Sequence, residues 1–289
     1  MLRHTFGIER MRFGEWLLIT LSRDPSRPDY AGGTLLYNET NALDFLIKTV
    51  PTFKQKIRGK RVLDYGCGWG WQAALMVREG ATEVVGLEID PQGRERARRK
   101  AAEYGFSGRI TIKERLDEAE YGTFDLVLSS SSFEHFADPE AELRAMRRAV
   151  AEDGSVIISF AEPWYSHSGS HMNFFCRVPW MNLWWSEETL MRVRSRYRDD
   201  GARRFEEAVG GLNRMTLAKF TRIIRNSGMD VRWMKVYPTK SLPLVAHIPV
   251  LRELLVSAVA IELAIKRSHE IPATRVDSMD ARNLLKGGR

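Results

Sequence analysis

The sequence predicts an α/β protein built on a doubly wound, mostly parallel sheet, and three observations lead to that fold class. Short apolar runs alternate with amphipathic helical patterns between residues 60 and 160, which is typical of a parallel sheet covered by helices on both faces. A glycine-dense turn follows the first apolar run, and the second run ends in carboxylates. At 289 residues and 44% hydrophobic content, the chain can bury the core that such a sheet needs.

The apolar and amphipathic patterns predict the elements in order. Before the alternation, residues 39–50 have leucine, isoleucine and valine at helical spacing. The alternating part predicts strands at 61–65, 83–88, 109–113, 124–129 and 154–160, and helices at 70–79, 91–104 and 139–151. Later, a helix at 216–226 stops before Gly228, a strand follows at 230–237, and an apolar element at 254–266 fits either a strand or a helix.

These patterns divide the chain into four parts. Residues 1–59 form an N-terminal helical flap and residues 60–161 form the ligand-binding core. Residues 162–213 are rich in aromatic side chains, histidine and arginine without a clear strand, and so long an excursion indicates an inserted lid after strand five. Residues 214–289 complete the sheet.

Composition and charge exclude several classes of protein. Two cysteines provide neither a disulfide framework nor a four-cysteine zinc site, which favours the reducing cytoplasm. The apolar run 16–21 is too short for a signal-peptide core, and no run reaches the length of a transmembrane helix. A net charge of +7 is compatible with a polyanionic partner, but the basic run 94–100 reads as a solvated helix face, so nucleic-acid binding is not expected. The basic, apolar segment 241–266 leaves peripheral membrane contact open.

A ligand site is indicated by DYGCGWG, residues 64–70, where a strand runs into a glycine-dense turn and then a helix. Glycines permit close backbone approach, and free N–H groups at the helix start attract an anionic group. Gly66, Gly68 and Gly70 give GxGxG, whereas the dinucleotide fingerprint is GxGxxG. The spacing therefore disfavours NAD, and the lack of a Lys-Ser/Thr pair after the turn excludes a phosphate-binding P-loop.

This stretch resembles motif I of the class I, Rossmann-like SAM-dependent methyltransferases, in which an acidic residue precedes the glycines. Residues 83–91, the strand 124–129 and the following FEHFADP, residues 133–139, resemble the next features of that family in the same order. The resemblance implies S-adenosyl-L-methionine as cofactor and a seven-stranded sheet of order 3-2-1-4-5-7-6 with the seventh strand antiparallel. It assigns cofactor binding to the matching positions Asp64, Gly66, Cys67, Gly68, Gly70 and Ser129.

Further acidic residues compete for two contacts with the cofactor. The resemblance favours Glu88 over Asp90 for the ribose hydroxyls and leaves Asp90 to cap the helix that begins at Pro91. It also places a carboxylate on the adenine amino group, and this role is left between Asp117 and Glu114. Asp117 is the first choice, although a turn or capping role is the alternative.

Candidate catalytic residues follow strands four and five, because ligands of open α/β sheets lie beyond the carboxyl ends of the strands. His135 follows strand four, and the loop after strand five contains Tyr165, His167 and His171. A hydroxyl or amine acceptor must lose a proton, so His171 or His167 is expected to act as base or to orient the acceptor. Their spacing of four would suit a metal on a helix, but Gly169 and the serines indicate a loop, and no metal is expected.

The sequence therefore predicts a methyltransferase that acts at oxygen or nitrogen of a small molecule. The alternatives are RNA or protein as acceptor, or a subunit without catalysis that supports a partner enzyme. The oligomeric state and the identity of the acceptor stay open.

Overall fold

The computed structural model describes residues 12–25, 37–208, 210–239 and 248–266. Its seven strands form one sheet in the order β3-β2-β1-β4-β5-β7-β6. The strands are β1 Arg61–Tyr65, β2 Glu83–Leu87, β3 Ile110–Lys113, β4 Phe124–Ser130, β5 Val150–Ala161, β6 Met229–Pro238 and β7 Val256–Ile265. Strands β1 to β5 pair in parallel, and β7 pairs antiparallel with both β5 and β6. The predicted fold class, strand order and strand direction are confirmed.

Helices connect the strands and cover the sheet. The described helices are α1 Phe13–Leu21, α2 Asp44–Thr49, α3 Phe53–Ile57, α4 Trp71–Arg78, α5 Pro91–Glu103, α6 Pro139–Ala149, α7 Met181–Trp184, α8 Glu187–Arg194, α9 Leu217–Asn226 and α10 Pro249–Leu255. Several of them begin at a residue whose side chain caps the helix N-terminus. The side chains of Asp90 and Asp138 accept backbone N–H groups at the starts of α5 and α6, each directly before a proline.

Two apolar layers hold the helices to the sheet. One layer joins Leu63 and Val127 of the central strands to α6 and α9, and the other joins Val62 and Leu126 to α4 and α5. Neighbouring residues of a strand point to opposite faces, so each central strand contributes to both layers. This explains why these strands read as continuous apolar runs in the sequence.

A third apolar cluster lies apart from the two layers and joins α1 to the segment 162–213. Leu18 of α1 is fully buried against side chains of that segment, among them Phe175 and Leu190. Hydrogen bonds reinforce the contact, because the Arg23 N–H donates to the Phe175 carbonyl over 2.8 Å and the Trp185 indole donates to the Gly14 carbonyl over 2.8 Å.

Several predicted elements differ in extent or type from those observed. The helix expected at 39–50 is limited to α2, because Asn38 and Asn41 form a side-chain-bonded turn before it. The apolar element at 254–266 contains the end of α10 and then β7, whose buried side chains lie between β5 and β6. Strand β5 begins earlier than expected, at Val150, and its pairing with β4 shifts register between Val150 and Ser155.

Some predictions fall on residues outside the described ranges. They include most of the flap, residues 1–11 and 26–36, and much of the proposed membrane-contact segment, residues 241–247. Within the described part of the chain, no helix has the length and apolar character needed to cross a bilayer.

Candidate active site

The glycine turn between β1 and α4 forms an open backbone surface. Gly68 has a φ of +53°, and a Cβ at that position would meet no atom within 4 Å. Gly70 has a φ of +77°, and a Cβ there would lie 2.9 Å from the Ala97 Cβ of α5. Gly70 therefore allows two helices to pack closely, whereas Gly68 leaves its space to a ligand.

Asp64 lies at the end of β1 directly before this turn. Its side chain is 1% exposed, and neither carboxylate oxygen has a hydrogen-bond partner. Burial raises the pKa of Asp64 to about 7, and the charge of Glu88 adds to the shift. A buried acid without a partner is costly in the folded chain, so a cationic or hydrogen-bonding ligand group at this place would relieve it.

Glu88, one residue past the end of β2, faces the same turn. Its carboxylate accepts the Gly68 N–H over 2.9 Å and the Asp90 N–H over 2.8 Å. Asp90 instead accepts the N–H groups of Gln92 and Gly93, which confirms its predicted capping role. The Asp64 carboxylate, which has no hydrogen-bond partner, suits the ammonium group of an adenosyl amino acid, and the Glu88 carboxylate suits its ribose hydroxyls. The open space at Gly68 suits the part of the ligand that lies against the backbone.

The remaining predicted cofactor residues lie at or near the edge of the sheet where β1 and β2 end, which we call the cofactor edge. Cys67 is buried beneath the turn, and burial raises the pKa of its thiol. The Ser129 hydroxyl, near the end of β4, is fully buried without a partner. Asp117 is exposed and pairs with Lys113 over 2.7 Å, while Glu114 pairs with Arg94 over 3.0 Å. Both adenine candidates thus lie beyond β3, each held by a basic side chain.

A second group of polar side chains follows β4 and is joined to the glycine turn. The Ser132 hydroxyl donates to the Gly66 carbonyl over 3.0 Å. Ser131, beside it, lies 3.5 Å from the Tyr37 hydroxyl. Glu134 follows, 5% exposed, and its Oε2 has no partner. Burial raises the pKa of Glu134 to about 7, against the opposing effect of His135.

Glu134 lines a small cavity together with residues from two other parts of the chain, the loop after β5 and residues 212–215. The cavity has a volume of about 10 Å³, which is the space of about one water molecule. Its walls include Glu162 after β5, His171 and Trp164 of the following loop, and Arg214 before α9. Burial raises the pKa of Glu162 to about 7, while a hydrogen bond from Ser168 opposes the shift and the charge of Glu134 adds to it.

The backbone around this cavity is strained. Positive φ angles without glycine occur at Glu162 (56°), His171 (55°) and Arg214 (54°), which all line it, and at Ser131 (52°). Such conformations cost about 1–3 kcal/mol each and persist where surrounding contacts enforce them. Their concentration at one cavity is typical of a functional site.

Two of the predicted histidines meet at this place. The ring centroids of His135 and His171 lie 5.7 Å apart. The His135 Nδ1 is 2.5 Å from the Gly211 carbonyl, and the His171 Nε2 is 3.4 Å from the Glu162 carbonyl. Burial lowers the pKa of His171 to about 4, and His135 adds to the shift, so His171 is neutral at pH 7.

The other two predicted catalytic residues lie outside the cavity wall. His167 has a buried Nδ1 without a partner, and Tyr165 is 37% exposed. Residues 162–171 form turns, as the glycine and serines of that loop indicated. Their catalytic roles stay predictions.

The predicted catalytic residues did not include Glu134, Glu162 or Tyr37. Glu162 belongs to the loop that the sequence indicated after β5, and Glu134 directly precedes His135, but neither was assigned a role. The available signal was an acidic residue shortly after each of two adjacent parallel strands, at once after β5 and four residues after the end of β4. Tyr37 lies in the N-terminal part, and no local pattern connected it to β4.

Comparison with known proteins places this geometry in a family. Residues 37–232 match the family model described as a methyltransferase domain. This range begins at Tyr37, ends within β6, and contains both the glycine turn and the cavity described above.

Among curated proteins, a ubiquinone biosynthesis O-methyltransferase of Neisseria meningitidis serogroup C is 42% identical over 106 residues, which are 36% of this chain and 44% of that protein. The protein of that name from Escherichia coli O127:H6 is 38% identical over 104 residues, 35% of this chain and 42% of the other. The chain thus spans less than half the length of the curated relatives it matches.

A solved structure from Listeria monocytogenes, described as an S-adenosylmethionine-dependent methyltransferase, superposes with a TM-score of 0.50 at 16% identity and covers 78% of this chain and 98% of that one. That likeness concerns the fold. With the family match over most of its length and a cofactor edge that fits an adenosyl amino acid, this chain belongs to the class I SAM-dependent methyltransferases.

Proposed function

We propose that the protein transfers the methyl group of SAM to a hydroxyl group of a small molecule. The observation that carries the proposal is the acidic cavity lined by Glu134 and Glu162, because the segment after β4 that contains Glu134 is also hydrogen-bonded to the glycine turn through Ser132 and Gly66. Bound SAM supplies an electrophilic methyl group. Atoms that are to react must be held a few ångströms apart, so a polar cavity fixed beside the cofactor turn suits the acceptor group.

The chemistry of the cavity favours a neutral hydrogen-bonding acceptor. Glu134 and Glu162 bind or release protons near neutral pH, and His171 is uncharged there. The Nε2–H of a neutral His171 donates to the Glu162 carbonyl, so its Nδ1 is left as an acceptor, and a hydroxyl group can donate its proton to that nitrogen or to a carboxylate. The curated relatives are named O-methyltransferases, which supports oxygen over nitrogen as the methylated atom.

The segment 162–213 provides the apolar side of this site. Trp164, Leu212 and Met215 line the cavity beside the polar groups, and its water-sized space admits the hydroxyl group of an acceptor but not a ring. In this proposal the segment covers the acceptor, and the neutral His171 orients the acceptor hydroxyl. The two cysteines are both buried and free, in keeping with a chain that works in a reducing compartment.

The test is transfer of labelled methyl from SAM to a panel of catechols, phenols, alcohols and amines, with RNA and a protein mixture as separate samples. Labelled ethers of small hydroxyl compounds are expected. Label that enters only RNA or protein, or no label anywhere despite SAM binding in calorimetry, would contradict the proposal.

The predicted histidines are tested in the same assay. Replacing both His167 and His171 by alanine is expected to lower turnover, because the acceptor loses the group that orients it. Unchanged turnover in this double variant would remove both histidines from the mechanism while leaving the methyl transfer itself in place.

A further inference from the structure

We propose that the Glu162 carboxylate is the base that takes the proton from the acceptor hydroxyl. The inference rests on the proposed function and adds to it a residue outside the predicted set of histidines and tyrosine. The position of Glu162, its accessibility and the groups around it support this role.

The backbone fixes Glu162 at the edge where the acceptor is expected. Glu162 directly follows β5, which lies next to β4 in the sheet, and its N–H donates to the Ser257 carbonyl over 2.8 Å. At a φ of 56° it departs from the strand, and it forms part of the cavity wall. A strained, hydrogen-bonded backbone holds the residue in one place, which a base requires.

Glu162 is the accessible acid of the pair that lines the cavity. Glu134 is buried to 5% exposure, whereas Glu162 is partly exposed. A base has to contact the acceptor and afterwards pass its proton to solvent, so partial exposure favours Glu162. His171 is the other candidate in the wall, but a group that resists protonation down to a pKa of about 4 is a weak base.

The surrounding charges suit a base that works at neutral pH. Burial raises the pKa of Glu162 to about 7, which makes its carboxylate a stronger base than an ordinary glutamate. The groups that share the cavity wall with it are Glu134 after β4, His171 of the loop and Arg214 before α9, and Ser168 donates a hydrogen bond to its carboxylate. His135 lies beside Glu134 and His171. Tyr37 approaches Glu134 from the N-terminal side.

The step balances without any further reactant. The acceptor oxygen forms a bond to the methyl carbon while the bond from that carbon to the SAM sulfur breaks. The electron pair of the broken bond stays on the sulfur, which becomes a neutral thioether. The hydroxyl proton passes to a carboxylate oxygen of Glu162. The products are a neutral ether and a protonated Glu162, which returns its proton to solvent.

The experiment measures methyl transfer to catechol, and to any hydroxyl compound labelled in the panel, as a function of pH in the full chain. Glu162→Gln keeps the shape of the side chain and removes the base. A loss of about 10²-fold in kcat is expected, with SAM affinity unchanged in calorimetry. The matched control is Glu152→Gln, an exposed acid at the far end of β5, which is expected to leave kcat unchanged.

The pH profile separates a base from a merely structural residue. In the unmodified chain kcat is expected to rise through pH 7 and then level off, because Glu162 must be ionised. In Glu162→Gln the rate is expected to follow the ionised fraction of the acceptor hydroxyl instead, up to the pKa of that hydroxyl. In Glu134→Gln the inflection due to Glu162 moves to lower pH, since the like charge is gone.

The outcomes distinguish the two proposals. A Glu162→Gln variant with unchanged kcat, or a reduced kcat with an unchanged pH profile, overturns the role of Glu162 alone. A chain that binds SAM but methylates no hydroxyl compound overturns the proposed function as well. If Glu162→Gln does not fold, a flat pH profile between 6 and 8 in the unmodified chain would still overturn the inference.

Discussion

The two edges of the site are built in different ways. The cofactor edge, formed by the ends of β1 and β2, consists of the end of β1 with Asp64, the turn 66–70 and one facing acid, Glu88. The acceptor edge, formed by the ends of β4 and β5, collects residues from three separate segments around the cavity. A local motif specifies the first edge, whereas the second exists only when distant parts of the chain are folded together. Because of this difference, the turn of the cofactor edge can be changed without harm to the fold, whereas a change at the acceptor edge affects the packing of distant segments.

The largest expected effect lies at the cofactor edge. Gly68→Arg is expected to abolish measurable SAM binding in calorimetry, because the side chain would fill the open space above the turn. The chain should still fold, since a left-handed residue costs about 1–2 kcal/mol and nothing within 4 Å obstructs the Cβ.

Gly122→Arg is the matched control, because Gly122 also has a positive φ of +73° and open space around it but lies before β4 at the opposite end of the strand. SAM affinity should stay that of the unmodified chain. Equal binding by both variants and the parent would mean that the turn does not hold the cofactor.

Asp64 of the cofactor edge and His171 of the acceptor edge are expected to contribute to the pH dependence of stability with opposite signs. Asp64 has a pKa of about 7 in the folded chain against 3.8 ordinarily, so the unfolded chain binds fewer protons between these values and the free energy of unfolding falls as pH rises. His171 has a pKa of about 4 against 6.5, so the unfolded chain binds more protons there and stability is lost as pH falls.

Denaturant unfolding at pH 4, 5.5 and 8 measures both slopes. Relative to the parent, Asp64→Asn should gain on the order of 4 kcal/mol between pH 4 and pH 8, while His171→Gln should lose about 3 kcal/mol over the same interval. Slopes of the same sign in the two variants would contradict the opposite pKa shifts of Asp64 and His171.

A third effect tests packing at the acceptor edge. A Cβ on Gly169 would overlap the carbonyl oxygens of Pro163 and Trp164, so Gly169→Ala should lower the free energy of unfolding by about 3 kcal/mol. Gly108→Ala is the control, because nothing lies within 4 Å of its Cβ. Thermal unfolding that shows equal stability for both variants would mean that the loop after β5 rearranges freely.

The smallest effect concerns the adenine contact. Loss of one hydrogen bond to the cofactor costs about 1 kcal/mol, or several-fold in affinity. Asp117→Asn and Glu114→Gln are compared for SAM affinity, and a loss in one variant alone would identify the residue that contacts the cofactor. No loss in either would leave both acids with their partners Lys113 and Arg94 only.

The same contrast between edges governs what could be read from the sequence. The strands β1 to β5 and the turn before α4 followed from apolar runs and glycine spacing, because each depends on residues close together in the chain. The order and direction of the strands followed from the family resemblance. The boundary between α10 and β7 did not follow, since an apolar stretch supports either structure until the neighbouring strands are known.

At the acceptor edge the sequence indicated the loops but not the full set of residues. His135 and His171 were expected and do meet, 5.7 Å apart. The position of Glu134 and Glu162 after adjacent strands was visible in the sequence, but their shared cavity and the missing hydrogen-bond partner of Glu134 have no signature in a single sequence. Chemistry assembled from distant segments is visible only after folding.

The joint between α1 and the segment 162–213 has a practical consequence for engineering. Leu18, Gly14 and Arg23 contact Phe175, Trp185 and Tyr197 through apolar packing and hydrogen bonds. If residues 162–213 alone were replaced by those of a related enzyme, their contacts with α1 would be mismatched. A chimera intended to accept a new compound should therefore transplant residues 12–25 and 162–213 as a single cassette.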